Sequence, residues 1–177
     1  MAKALRADDA ATQWGRGRAY DHWVQSLGLP VHEGYHIEDL RAVALGWWEE
    51  RRCHAAFLKL TGQEGISEVR IGEIPAGQST APWRMALDEL VYAVNGRGLT
   101  TVWAEGKPKK TFEWQKHSLF RIPRNHYCQL SNAQGGKPAR LLHYNSLPLA
   151  MTLLPDPEFF FSSARFDADI MYGDEGG

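Results

Sequence analysis

Short apolar runs bounded by turn residues fill the middle of the chain from Cys53 onward. Gly, Pro, Asn or Lys-rich breaks such as NGRG and NAQGGKP separate them. The eight runs are HAAFLKL, ISEVRIGEI, ELVYAV, LTTVWA, KTFEW, SLFRIP, YCQLSN and ARLLHYNSLP. Short strands at this spacing, with no long helical period between them, predict an all-β fold that forms an antiparallel sandwich or barrel.

The segments before and after these strands do not show this pattern of short apolar runs. We expect short helices over residues 19–26 and 37–45, both wrapping the core rather than forming it. Phe159, Phe160 and Phe161 would form an apolar patch in water, so they are expected to cover a barrel mouth, a partner subunit or the core. The chain thus divides into an N-terminal extension (1–50), a barrel (51–150) and a C-terminal aromatic arm (151–177).

The composition restricts the class of ligand and the cellular compartment that we expect for this protein. The 20 Lys and Arg residues nearly balance the 21 Asp and Glu residues, so no strong field draws the protein to nucleic acid or an anionic membrane. There is no signal-peptide core and no run of 18 apolar residues, and Cys53 and Cys128 have no CxxC spacing. We expect a soluble cytoplasmic protein with free thiols that binds a small-molecule substrate.

Two motifs punctuated by turn residues carry the candidate chemistry. The first, GQSTAPWRMALDELVYAVNG, begins at Gly77 and ends at Gly96. The second occupies residues 117–132 and contains Pro123 and Asn125. Pro fixes φ, and Gly or Asn accepts the left-handed backbone conformation, so both motifs are expected to contain tight turns between strands.

The spacing of the two motifs resembles that of the cupin superfamily, whose members are small antiparallel jelly-roll β-barrels. The resemblance implies a metal site at four positions, which here hold Trp83, Met85, Glu89 and Cys128. Only Glu89 matches a ligand of the family, and a thioether, a carboxylate and a thiol suit iron, manganese or nickel poorly. We therefore expect a cupin-like barrel without a metal there. Because cupin barrels commonly pair, the resemblance also implies a homodimer.

An apolar cavity around one carboxylate is the interpretation that we favour for these replacements. Alternation along a strand directs Trp83 and Met85 into the barrel, with Cys128 on the facing side. Burial there would raise the pKa of Glu89 and make it a usable general acid or base. The alternative is an ion pair of Glu89 with Arg84, Arg97 or Arg121.

Histidines are the expected catalytic partners of Glu89. His143 alternates with Leu141 and Asn145, which places three side chains on one strand face, expected to be the lumen. His126 lies close to the ligand position of the second motif, and a small shift of register would turn it inward. A structural histidine at 143 and a surface histidine at 126 are the alternatives. The expected substrate-binding residues are Trp83, Met85, Cys128, His54 and Phe120.

Three functions remain open. We favour proton-transfer chemistry without a cofactor, of the isomerase, cyclase or lyase type, on a partly apolar or aromatic molecule, with Glu89 as acid or base and His143 or His126 as partner. The second is a dioxygenase in which Glu89, His143 and either His54 or His126 hold one divalent metal such as iron. The third is a ligand-binding barrel without catalysis. Cys128 could also act as a nucleophile beside His126, although cysteines in apolar strands usually pack as small hydrophobic residues.

Overall fold

Eleven strands and three helices make up residues 18–162, the part of the chain that the computed structural model describes. In chain order they are α1 (Arg18–Ser26), β1 (Val31–Gly34), β2 (Gly46–Trp48), β3 (Cys53–Leu60), β4 (Glu68–Ile74), β5 (Trp83–Arg84), β6 (Glu89–Asn95), β7 (Arg97–Trp103), β8 (Lys110–Gln115), β9 (Leu119–Ile122), β10 (Tyr127–Asn132), β11 (Ala139–Asn145), α2 (Leu147–Leu153) and α3 (Pro157–Ser162). Each of the eight predicted runs forms a strand.

The strands form two sheets packed as a jelly-roll-like sandwich. The larger sheet has seven strands in the order β1-β3-β4-β11-β6-β9, with β2 also paired to β3. The smaller sheet has the order β5-β10-β7-β8. Only the β1–β3 pair is parallel among the described pairs. The predicted all-β, antiparallel jelly-roll architecture is therefore confirmed.

The main core lies between the two sheets. Val91 and Leu141 of the larger sheet are completely buried against Val102 and Leu130 of the smaller one. Along β10 buried and half-buried residues alternate, as expected for a strand with one face toward the core. This alternation decides which side chains reach the interior.

The turn positions of both motifs adopt the backbone conformation expected from the sequence. The φ angles of Gly77, Gly96 and Asn125 are 65°, 86° and 60°. His117 also has a positive φ, of 72°, which is uncommon for a residue other than glycine. Its Nδ1 atom lies 2.6 Å from the Tyr92 hydroxyl, a hydrogen bond that helps hold the turn.

Helix α1 confirms the first predicted helix, but the helix expected over residues 37–45 is wrong. That segment runs as a turn and irregular chain until β2 begins. The Nη1 atom of Arg140, on β11, donates hydrogen bonds to the carbonyl oxygens of Leu40, Arg41 and Val43 at 2.9, 2.6 and 3.2 Å. Because a side chain from a distant strand binds these carbonyls, they are not paired with helical amides.

The C-terminal phenylalanines pack within the chain. Phe160 is buried together with Met85, and the ring of Phe161 stacks on Trp23 with 5.0 Å between centroids. Helix α3 therefore covers the sandwich next to β5. None of the helices in residues 18–162 is long and apolar enough to cross a membrane.

Candidate functional site

A cluster of buried polar side chains surrounds Glu89 inside the barrel. The Oε1 atom of Glu89 accepts a hydrogen bond from Nη2 of Arg70 at 2.8 Å, and Oε2 lies 2.9 Å from Nδ1 of His143. Arg70 also pairs with Glu68, and the Asn145 amide donates to Glu68 at 3.1 Å and to Glu89 at 3.3 Å. All five side chains are almost completely buried, so they form a closed ion-pair network.

Strand alternation brings this cluster together. Glu68 and Arg70 are two residues apart on β4, and His143 and Asn145 are two residues apart on β11, so each pair faces one side. The register places His143 opposite Arg70 and Asn145 opposite Glu68. Strand β6, which begins at Glu89, pairs with the other edge of β11. As the alternation predicts, His143 and Asn145 are both buried on the same face of β11.

The ion pair reverses the pKa shift that the sequence predicts for Glu89. Burial acts to raise the pKa of Glu89, but the charge of Arg70 and the interaction with His143 outweigh burial and hold this pKa well below 4.5. The expected raised pKa is therefore wrong, and Glu89 is ionised. The ion-pair alternative applies, with Arg70 in place of the three arginines suggested by the sequence.

The ionised carboxylate fixes the state of His143. A carboxylate can only accept hydrogen bonds, so Nδ1 of His143 carries the proton and donates a hydrogen bond to Glu89. Burial is the main cause that lowers the pKa of His143 below 6.5, and the charge of Arg70 adds to it. The imidazole is neutral at physiological pH, and its Nε2 atom has no hydrogen-bond partner within residues 18–162. Nε2 is therefore free to accept a proton.

His143 lines a small cavity in the barrel, together with Trp83, Arg51 and Arg70. The cavity has a volume of about 20 Å³, enough for about one water molecule. A Cβ atom added at Gly72 would lie 3.2 Å from Nε2 of His143, so the imidazole packs tightly on the backbone of β4. The cavity therefore accommodates one small group, and His143 is one of its walls.

A wider cleft lies outside this cavity and shares Trp48, Arg51 and Trp83 with it. Its volume of about 390 Å³ is suited to a small organic molecule. The guanidinium carbon of Arg51 lies 4.8 Å from the ring centre of Trp83 and 5.1 Å from that of Trp48, within cation–π range. Burial and the charge of Arg70 lower the pKa of Arg51 to about 10, so Arg51 stays cationic at neutral pH.

Two of the expected pocket residues lie away from the cavity. Strand β5 ends at Arg84, so alternation does not continue to Met85, which packs beneath the C-terminal helices instead. The expected lumen position of Met85 is therefore wrong. Cys128 is completely buried in the main core, where burial raises its pKa well above 9.0 and the charge of Glu89 adds to the effect. Its thiol is protonated, which argues against the nucleophile and ligand interpretations.

The remaining predicted site residues are also apart from Glu89. His126 is buried in the loop before β10, where Nδ1 lies 2.9 Å from a loop carbonyl oxygen. His54 lies on the face of β3 opposite to Cys53, away from the cavity, and its ring packs edge-on against Trp47. Phe120 packs against the main core. Of the three histidines, the structure brings only His143 to Glu89.

The residues present do not fit the metal that a resemblance to cupins implies. Within residues 18–162, no group of three or more His, Cys, Asp or Glu side chains is arranged to hold a metal ion. Both oxygens of Glu89, the retained ligand, are engaged by Arg70 and His143. The guanidinium of Arg70 brings a positive charge to Glu89, as a metal ion would.

The interpretation of the sequence missed Arg51, Glu68 and Arg70. Glu68 and Arg70 had a usable signal, because oppositely charged residues at alternate positions of one strand share one face. Arg51 gave no such signal, since it lies in the turn between β2 and β3.

Comparison with solved structures shows a cupin-like fold. The Cnp3 cupin domain of Schizosaccharomyces pombe matches with a TM-score of 0.50 and 22% identity, over 61% of this chain and 71% of that chain. The oxalate decarboxylase–formate complex of Lactobacillus farciminis matches with a TM-score of 0.50 and 18% identity, over 60% of this chain and 32% of the decarboxylase. Peruvianin-I, a cysteine peptidase from Thevetia peruviana latex, matches with a TM-score of 0.52 and 14% identity, over 63% of this chain and 71% of that chain.

These similarities establish the fold alone. No protein-family model matches the sequence, and no curated protein matches it. The activity must therefore be argued from the side chains of this chain.

Proposed function

We propose that this protein is a metal-independent enzyme that transfers a proton on a small organic molecule, in an isomerase, cyclase or lyase type of reaction. The observation that supports this best is the hydrogen bond from Nδ1 of His143 to the ionised Glu89 at 2.9 Å. This bond fixes the imidazole tautomer and leaves Nε2 as a base at the inner cavity.

The two residues have different roles in this proposal. His143 accepts the substrate proton at Nε2 and later returns it, to another atom in an isomerisation or to a leaving group in a lyase step. Glu89 orients the imidazole and stabilises the imidazolium that forms. Arg70 balances the charge of Glu89 and keeps the carboxylate ionised. Glu89 is thus a positioning residue, and His143 is the proposed catalytic base.

The two spaces determine how a substrate would reach His143. The inner cavity holds only about one water molecule, whereas the cleft has a volume of about 390 Å³. The body of the substrate would therefore lie in the cleft, with a small reacting end beside Nε2. Arg51 and Trp83, which line both spaces, would contact the substrate where it passes from one to the other.

The small inner cavity also favours a second function, ligand binding without turnover. A molecule too large to reach Nε2 would bind in the cleft and leave unchanged. The dioxygenase alternative has no such support, because it requires His54 or His126 in addition to His143, and in the described residues both of these lie apart from Glu89.

Deuterium uptake tests the proposal. The full chain is incubated in D₂O with a panel of small carboxylic acids, hydroxy acids and their amides, and loss of carbon-bound proton signals is followed by NMR. We expect exchange at one carbon of a panel member, no exchange with His143→Asn, and unchanged exchange with His126→Asn as the matched control. Chelator treatment should not alter the rate.

Exchange that survives His143→Asn, or that requires added metal, would contradict the proposal. A panel member that binds in the cleft and acquires no deuterium would favour the second function.

A further inference from the structure

We infer that Arg51 binds a carboxylate, and that the substrate is a small planar carboxylic acid whose body lies in the aromatic cleft. The aromatic cleft is the space lined by Trp23, Trp48, Trp83, Tyr127 and Phe161 around Arg51. The inference rests on the proposed function for the reaction that follows. Binding itself can be measured without turnover.

Arg51 has a positive charge that no carboxylate pairs with in residues 18–162. Its side chain has no hydrogen bond or ion pair there, and Nη1 is shielded from solvent without a partner. Arg70, which lines the same inner cavity as Arg51, pairs with both Glu68 and Glu89. A buried charged donor without an acceptor costs stability, so it needs an explanation. A bound anion would supply the missing acceptor.

Three aromatic rings surround the guanidinium group of Arg51 and suggest which ligand it can bind. The guanidinium carbon lies 4.8 Å from the ring centre of Trp83, 5.1 Å from that of Trp48 and 5.8 Å from that of Phe161. These contacts leave Nη1 of Arg51 without a hydrogen-bond acceptor in the described residues. The N–H groups of a guanidinium form a planar fork that matches a carboxylate in bidentate geometry. The aromatic walls then suit a planar ligand body by stacking.

The charges nearby also favour an anion. Arg51 and Arg70 bring two positive charges, and the two buried carboxylates nearby, Glu68 and Glu89, are both already paired with Arg70. The acidic residue that lines the cleft is Glu50, which is exposed to solvent.

The position of Arg51 connects binding to the proposed reaction. Arg51 lines both the cleft and the cavity that contains His143. A carboxylate on Arg51 would therefore bring the neighbouring carbon of the ligand to the entrance of that cavity. A proton on such a carbon is the kind that a base can remove when adjacent charge is stabilised by a guanidinium.

Calorimetric titration of the full chain with benzoate and with benzamide tests this inference. The two ligands have the same ring, but only benzoate has a carboxylate. We expect the wild-type protein to bind benzoate at least about tenfold more tightly than benzamide, as expected for charge-assisted hydrogen bonds. Arg51→Met should abolish that preference while leaving benzamide binding unchanged, and Arg51→Lys should restore part of it.

Arg52→Met is the matched control, because it removes an exposed arginine next in sequence that does not line the cleft. The inference is overturned if wild-type protein binds the two ligands equally, or if Arg52→Met loses as much preference as Arg51→Met. The wild-type comparison decides the matter even if Arg51→Met does not fold. Benzoate preference without any deuterium exchange would retain this inference and contradict the proposed function. Equal exchange of carboxylic acids and their amides would retain the proposed function and contradict this inference.

Discussion

Arg70 and Glu89 form a buried ion pair inside the barrel, with 2.8 Å between Nη2 and Oε1. Glu89 is the residue that matches a usual metal ligand of cupins, and a guanidinium is its cationic partner here. A guanidinium neutralises a carboxylate but offers no open coordination position to a substrate. The neighbouring imidazole of His143, bound to the other carboxylate oxygen, is then the group able to exchange protons.

Removing Arg70 should destabilise the fold severely. Arg70→Met leaves Glu68 and Glu89 without their cation, so we expect a loss of about 3–5 kcal/mol in the free energy of unfolding, measured with urea. Arg121→Met is the control, because Arg121 pairs with Asp88 at 3.8 Å while both are about half exposed. That change should cost less than about 1 kcal/mol. Equal losses in the two variants would contradict the buried ion-pair interpretation.

The pKa of His143 should respond to Glu89 in a defined direction. Burial lowers this pKa, and the negative charge of Glu89 acts to raise it. Glu89→Gln retains the shape of the side chain but removes the charge, so the pKa of His143 should fall further. An NMR titration of the imidazole measures this. A pKa that rises toward 6.5 in the variant would show that Glu89 does not hold the ring as described.

Stability should decrease at acid pH because of Glu89. Its pKa in the folded protein lies below the ordinary 4.5, so its contribution is fully present above about pH 4.5 and is lost as the pH falls through the folded value. Glu89→Gln lacks this contribution at every pH. The difference in free energy of unfolding between wild type and Glu89→Gln should therefore shrink below pH 4.5. A difference that stays constant from pH 7 to pH 3 would be inconsistent with the ion pair.

The strands could be predicted from the sequence because alternation and turn residues are local properties. The partner of Glu89 could not be predicted, because it depends on which strands become neighbours, and Arg70 lies on β4, two strands away from β6. The prediction for Met85 was wrong for a different reason, since nothing in the local pattern indicates that β5 ends after two residues. The irregular 37–45 segment depends likewise on a distant residue, Arg140.

The turn at His117 offers a test of the motif alignment. His117 occupies the first glycine position of the second motif and has a φ of 72°, so His117→Gly should be more stable than His117→Ala by about 1 kcal/mol. Both variants lose the hydrogen bond to Tyr92, so their difference isolates the backbone. Thermal unfolding measures it. The same pair of changes at Gln129, inside β10, should give the opposite order.

The protonation of His143 in the full chain at pH 7 tests most directly whether the barrel contains a carboxylate-held base. Nitrogen-15 NMR of the imidazole distinguishes the two neutral tautomers from the imidazolium. We expect a neutral ring with the proton on Nδ1 and a bare Nε2, and we expect this pattern to persist after chelator treatment. A proton on Nε2 at neutral pH, in either the other tautomer or the imidazolium, would contradict His143 as the catalytic base.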